Sequence, residues 1–227
     1  MSIKTPNEYE FVVEDLSDLV CTHRGSVDLQ AELEWDTLFL PSLLLQSITD
    51  KLADACKDTY GNYVIQKLLP LLSNSQICYF IQSISSGFIS IAVSVPGSCV
   101  LGCLIEECAK RELESQLMPL FNSNLVLLAQ SQHGSHVLQV LIRKFPKRHL
   151  TLLFEFVQRN FLNLAKDRYG CCLIKKVVEK DSSILLECIL ADLNELCTVK
   201  EGDFTLKLML NPLRINIVIT LYSITLI

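Results

Sequence analysis

Five of the eight glycines in the chain, Gly25, Gly61, Gly97, Gly134 and Gly170, recur at intervals of 36, 36, 37 and 36 residues. Each brings the same neighbours with it. Three residues before every one stands a helix N-cap type: Thr22, Asp58, Ser94, Ser131 and Asp167. Three and four residues after stand apolar pairs, Val64/Ile65, Val100/Leu101, Val137/Leu138 and Leu173/Ile174, with Asp28/Leu29 the partial exception. A fixed period in this range marks an array of supersecondary units, none of which can bury its hydrophobic face alone. The chain is therefore expected to fold as one continuous stack rather than as separate cores.

Composition narrows the kind of unit. Half of the residues are hydrophobic and 20% are charged, with only seven prolines among 227 residues. That is abundant core material with little punctuation, which favours helices over many short strands. The second unit shows the plan. Asp58 is the N-cap; Thr59, Tyr60 and Gly61 make the first turn, and the helix runs on until Pro70. Apolar residues three, four, seven and eight positions after the glycine (Val64, Ile65, Leu68, Leu69) form one inward stripe. The fourth unit repeats it with Val137, Leu138, Leu141 and Ile142, the fifth with Leu173, Ile174, Val177 and Val178. The glycine is expected where a neighbouring helix comes close. Further helical stretches are read at Ser75–Ser85, Pro119–Ala129, Leu150–Ala165 and Ile184–Leu196, giving about three short helices per period.

Three positions on the capped helix fall outside that stripe, the first, second and fifth after the glycine. The first and fifth are four apart and share a face, with the second beside them. In the second unit they are Asn62, Tyr63 and Gln66, an amide, a ring and an amide; in the fourth they are Ser135, His136 and Gln139. Amides can bond a base edge and a ring can stack on a base. One such helix reads as an ordinary polar outer face, but the recurrence favours recognition.

At these residues the chain resembles the Pumilio (PUF) family of RNA-binding proteins. Asp58-Thr-Tyr-Gly-Asn-Tyr-Val-Ile-Gln66 is close to that family's signature, and Gly134–Gln139 and Leu164–Ile174 match it less fully but in register. The resemblance covers residues 15–198. It implies an all-α fold, a curved right-handed α-solenoid of stacked three-helix repeats, whose concave face binds single-stranded RNA one base per repeat. Carried over position by position, Asn62 and Gln66 with Tyr63 stacking match the family's uracil set. Ser135 and Gln139 with His136 resemble an adenine set, as do Ser26 and Gln30, although Val27 is a poor stacker. In the third unit Ser98 is followed by Cys99 and by Gly102, which has no side chain to read a base. In the fifth, Cys171 and Cys172 are tolerable, while Lys175 replaces the glutamine and points to a phosphate contact. Family members bind RNA antiparallel, so the implied preference is 5′-n-A-n-U-A-3′, with n unread.

The chain departs from the family in showing five repeats where complete members carry eight. A sixth glycine would fall near position 206, where Leu206 stands. The expected division is an acidic segment over 1–14, the repeat array over 15–198, and a degenerate or truncated repeat with an apolar tail over 199–227. The run Ile215–Ile227 is too short for a membrane span of about 20 residues.

Charge is uneven. Residues 1–60 hold 12 acids and 4 bases, whereas residues 143–181 hold 10 bases and 4 acids. The second stretch reads either as a solvated helix face or as local attraction for phosphate. The ten cysteines form no CxxC, and Cys99, Cys103 and Cys108 fall at helical spacing. They are read as buried free thiols in a reducing compartment. The N-terminal stretch is acidic without an apolar run, so neither a secretory nor a plastid address is expected. The four histidines lack metal-ligand spacing and no phosphate-cradling glycine loop occurs. The expectation is a cytoplasmic, monomeric RNA-binding protein with no enzyme activity, metal or cofactor. It would act on messenger translation and stability through recruited effector proteins. The competing expectation is a protein-interaction scaffold that has lost RNA.

Overall fold

In the computed structural model, residues 13–185, 187–189 and 191 are described. The expected segments 1–14 and 199–227 therefore lie almost wholly outside the described residues, as does most of Ile184–Leu196. Every regular element among the described residues is a helix. Two compact units divide the chain, Met1–Phe121 and Asn122–Ile227.

The first unit opens with α1 (Val13–Leu19) and the capped helix α2 (His23–Trp35). It continues with α3 (Leu40–Ser47), α4 (Leu52–Lys57) and capped α5 (Gly61–Leu68), then α6 (Asn74–Ser83), α7 (Phe88–Ala92) and capped α8 (Val95–Lys110). Helix α9 (Glu114–Asn122) closes it. The second unit holds α10 (Leu125–Ala129), capped α11 (Gln132–Lys144), α12 (Thr151–Arg159), α13 (Phe161–Lys166) and capped α14 (Gly170–Lys180). Capped helices of successive repeats pack on one another, α2 on α5 and α5 on α8 in the first unit, α11 on α14 in the second. The three-helix period is as expected. Two expected stretches are corrected. Pro119–Ala129 is not one helix: Pro119 lies inside α9, and Ser123–Asn124 separate it from α10. Likewise Leu150–Ala165 is broken at Asn160 into α12 and α13. Apolar periodicity runs through both breaks, which is why they are invisible to it.

The stripe residues form the core. Val64, Ile65, Leu68 and Leu69 are fully buried, as are their counterparts Val100, Leu101, Leu104 and Ile105 and Val137, Leu138, Leu141 and Ile142. All five caps act as read. The glycine N–H donates to Thr22 Oγ1 (3.1 Å), Ser94 Oγ (3.1 Å) and Ser131 Oγ (2.9 Å), and to the Oδ1 of Asp58 and Asp167 (2.7 Å each). The hydroxyl caps also donate to a carbonyl three residues earlier, Thr22 to Leu19 and Ser94 to Ile91, both at 2.9 Å. An ionised carboxylate has no proton to give, so Asp58 and Asp167 accept a second backbone N–H instead, from Tyr60 (2.8 Å) and Tyr169 (2.9 Å). Ser94→Ala is expected to cost about 1 kcal/mol and Ser94→Asp much less, read from urea unfolding midpoints.

The same carbonyls explain the glycines. A Cβ on Gly25, Gly97 or Gly170 would stand 2.3, 2.2 or 2.4 Å from the backbone oxygen of Leu19, Ile91 or Leu164. On Gly61 and Gly134 it would stand 2.8 and 2.6 Å from Ala55 and Leu128 oxygens. In every repeat the obstacle is the carbonyl six residues back, at the end of the preceding short helix. The expected close approach is thus within a repeat, between its second and third helices.

Neighbouring repeats are also tied by polar contacts about one period apart. Lys51 bonds Asp18 (2.7 Å), Gln76 bonds Ser42 (2.8 Å) and Lys67 pairs with Glu34. In the second unit Lys147 bonds Asp181 (2.6 Å). Such exposed contacts are screened by water and each adds little stability. A stronger tie links α8 back to the preceding repeat. Arg111 donates to the carbonyls of Pro70 (2.9 Å) and Leu72, and to the buried carboxylate of Glu107 (2.9 Å).

Candidate nucleic-acid interface

The first, second and fifth positions after each glycine grade from core to solvent. The first position is buried in every repeat: Ser26, Asn62, Ser98, Ser135 and Cys171 are 1–7% exposed. This corrects the reading of all three as outside the buried stripe. At about 100° per residue the first position lies next to the eighth, at the edge of the apolar sector, and the second lies opposite that sector. The second position is accordingly open. Val27 and Tyr63 are 54% and 57% exposed, Cys99 and His136 are exposed, and Cys172 is half-buried. The fifth position (Gln30, Gln66, Gly102, Gln139, Lys175) is half-buried throughout.

Burial of the first position is compensated by hydrogen bonds, as a buried polar group requires. Asn62 Nδ2 donates to the Asp58 and Thr59 carbonyls at 2.8 and 2.9 Å. This turns its Oδ1 outward to accept from Gln66 Nε2 at 2.9 Å. The two amides of the second repeat thus form one linked edge beside the exposed Tyr63 ring. In the fourth repeat Gln139 Nε2 reaches Ser135 Oγ at 3.4 Å, and Ser135 Oγ donates to the Tyr169 carbonyl at 2.9 Å. In the first repeat Gln30 Nε2 bonds the Ser26 backbone carbonyl (3.0 Å), while Ser26 Oγ turns back to His23 O (3.3 Å). Ser98 Oγ donates to Val95 O at 2.8 Å. No side chain faces it from Gly102, where an added Cβ would meet nothing within 4 Å.

In the fifth repeat Cys171 Sγ donates to Arg168 O at 3.1 Å. Burial, with Cys172 beside it, pushes the Cys171 thiol up to about 11. Burial likewise pushes Cys103 up to about 11 and Cys56 and Cys108 to about 12. All four stay protonated at neutral pH and make poor nucleophiles. The reading of the cysteines as buried is corrected in part. Of the nine described, all free thiols, only Cys56, Cys108 and Cys171 are buried, and Cys99 stands in the open at a second position.

The basic stretch is partly neutralised. Lys147 pairs with Asp181, Arg159 with Glu155, and Lys176 with Glu179. Arg143 and Arg168 are exposed and have no carboxylate partner among the described residues. A cleft lined by Val126, Phe156, Asn160, Asn163, Leu164 and Asp167 shares no residue with the graded positions. Among the described residues no helix is long and apolar enough to cross a membrane.

Two contacts at this interface had no sequence signal. One is the Tyr169 carbonyl that anchors Ser135, since a backbone acceptor leaves no trace in residue type. The other is the edge-on contact between the His23 and Tyr60 rings, 5.3 Å apart, which joins the first turns of α2 and α5.

Comparison with known proteins places these features. The sequence profile of the Pumilio-family RNA binding repeat matches residues 53–84, 124–157 and 160–193, the repeats of Gly61, Gly134 and Gly170. The chain is 28% identical over 130 residues to a Pumilio domain-containing protein of Schizosaccharomyces pombe, covering 57% of this chain and 19% of that one. It is 26% identical to Pumilio homolog 12 of Arabidopsis thaliana, over 59% of this chain and 23% of that one. The chain thus spans about a fifth of the length of these relatives. Among solved structures it shares its fold with the Puf4 RNA binding domain bound to an HO endonuclease RNA 3′ UTR recognition sequence. There the TM-score is 0.80 at 21% identity, over 86% of this chain and 62% of that one. It also resembles the RNA-binding domain of yeast Puf5p bound to MFA2 RNA, with TM-score 0.73 at 22% identity, over 89% and 62% of the two chains.

Proposed function

The chain is a protein of Pumilio-family repeats, and from that premise we propose that it binds single-stranded RNA sequence-selectively, one base per repeat. The observation that carries this is the linked edge of Asn62 and Gln66 beside Tyr63, repeated in outline by Ser135, Gln139 and His136. A buried first residue, pinned by the backbone, presents a half-buried fifth residue in a set orientation. An exposed ring stands ready to stack. Such a site meets a base with little loss of side-chain freedom, so less of the interaction is spent on ordering.

The proposed target is a messenger RNA site of the 3′ UTR type with the core 5′-n-A-n-U-A-3′. Binding there would alter translation and stability in the cytoplasm through effector proteins recruited by a monomer. The reading residues are Ser26, Gln30, Asn62, Tyr63, Gln66, Ser135, His136 and Gln139. Ser98, opposite the vacancy at Gly102, marks an unread base, and Cys171, Cys172 and Lys175 mark the other.

Tyr63→Ala combined with Gln66→Ala is expected to weaken binding of a nonamer carrying that core by about 10–100-fold, given roughly 1–3 kcal/mol per stacked base. Fluorescence anisotropy at fixed salt reads the effect, and exchanging the U for C should cost the wild type a similar factor. Equal affinity for the U and C oligonucleotides would overturn the base assignment. Retention of RNA by neither protein would favour the scaffold.

A further inference from the structure

We propose that the fifth repeat is a phosphate clamp rather than a base reader: Arg168 and Lys175, on one face of α14, hold the RNA backbone beside the base bound by the fourth repeat. This rests on the RNA reading of the face above and adds a different chemistry to it.

The base-reading set of this repeat is dismantled. Cys171 is 4% exposed and gives its one proton to the Arg168 carbonyl, so only a weakly accepting sulfur is left to meet a base edge. Cys172 has no ring to stack. What the repeat offers instead is cationic. Cys171 N bonds Asp167 O at 2.9 Å, so the helix is wound from Asp167 onward and Arg168 belongs to its first turn. Arg168 and Lys175 are seven residues apart, close to two full turns, so they share a face about 10 Å apart along the axis. They bracket Cys172. Arg168 is exposed and has no side-chain partner among the described residues. Lys175 touches Glu179 only at 3.9 Å, whereas Lys176 holds the same carboxylate at 2.5 Å. Glu179 is thus already engaged, and the Lys175 ammonium keeps most of its charge available.

Position completes the case. The Ser135–Tyr169 hydrogen bond sets the first turn of α14 against the reading residues of the fourth repeat. A nucleotide seated on Ser135, His136 and Gln139 would carry its neighbouring phosphates toward Arg168 and Lys175. A guanidinium and an ammonium suit phosphate oxygens and are blind to base identity.

The test is anisotropy with the full chain and four nonamer RNAs centred on 5′-NANUA-3′, differing only at the first N, over 50–200 mM salt. The wild type should bind all four within about twofold. Arg168→Gln with Lys175→Gln should lower the slope of log affinity against log salt by about 1.4, as expected for two single-strand phosphate contacts. That corresponds to about 7-fold less loss of affinity across the salt range, equally for all four RNAs. Glu179→Gln, which releases both lysines, should tighten binding and steepen the slope, a gain that misfolding cannot mimic. An unchanged slope in the double variant overturns the clamp, as does a wild-type preference for one base at N that the variant loses. If the wild type binds none of the four at 50 mM salt, the RNA reading itself falls and the clamp with it. If it binds and only the slope fails to change, the clamp falls alone.

Discussion

Gly97→Ala is expected to destabilise the first unit by about 2–3 kcal/mol, whereas Gly102→Ala, five residues further along the same helix, is expected to stabilise it by about 0.5–1 kcal/mol. The substitution is identical and the sign differs because of what the methyl group meets. At Gly97 it would lie 2.2 Å from the Ile91 carbonyl oxygen and 2.8 Å from its carbon, atoms that move only if α7 and α8 separate. Overpacking against backbone costs more than the helix propensity gained. At Gly102 nothing lies within 4 Å, so alanine simply removes conformational freedom from the unfolded chain. Urea midpoints of the two variants measure the difference. Two shifts of the same sign would refute the steric account of the period.

Arg111→Ala is expected to cost about 2–3 kcal/mol, the largest loss from any single polar side chain named above. Glu107 is 4% exposed and depends on Arg111 and on Lys110, which bonds its Oε1 at 2.6 Å. Burial acts to raise the Glu107 carboxyl, but the hydrogen bonds from Lys110 and Arg111 outweigh it and hold the group below the usual carboxylate range. Removing Arg111 leaves Oε2 of the buried carboxylate without its partner, with Lys110 alone on Oε1, and also frees the Pro70 and Leu72 carbonyls. The pH dependence follows in sign. A carboxyl lowered in the folded state contributes stability above its unfolded value and loses it as pH falls through the folded value. The wild type should therefore weaken on acidification below the carboxylate range. In Arg111→Ala only Lys110 still opposes burial, so the carboxyl is lowered less and the acid sensitivity should shrink. Glu107→Leu with Arg111→Met should recover most of the stability. Thermal melts from pH 3 to pH 7 of all three proteins check this. Equal acid sensitivity in wild type and Arg111→Ala would refute it.

What was legible in the chain was whatever the backbone imposes. The caps and glycines recur because a carbonyl stands in one place in every repeat, and that demand leaves a fixed residue type. The stripe at Val64, Ile65, Leu68 and Leu69 was legible for the same reason: burial in a helix has one period. The breaks at Asn160 and Ser123–Asn124 were hidden because the apolar pattern continues across them. Burial of Asn62 and Ser135 was missed because small polar residues satisfied by their own backbone look, as letters, like surface residues. Neutralisation of Lys147 and Lys176 was equally opaque, since Asp181 and Glu179 reveal their partners only in space.

The glycine contact is made of main-chain atoms, so it places no demand on the residues one, two and five positions later. Framework and vocabulary are written in separate letters. The third repeat shows the result: Gly97 still locks it in place, while Gly102 has left its word blank. An array built this way can lose or acquire recognition one repeat at a time, with the glycine contact of each repeat untouched by the edit.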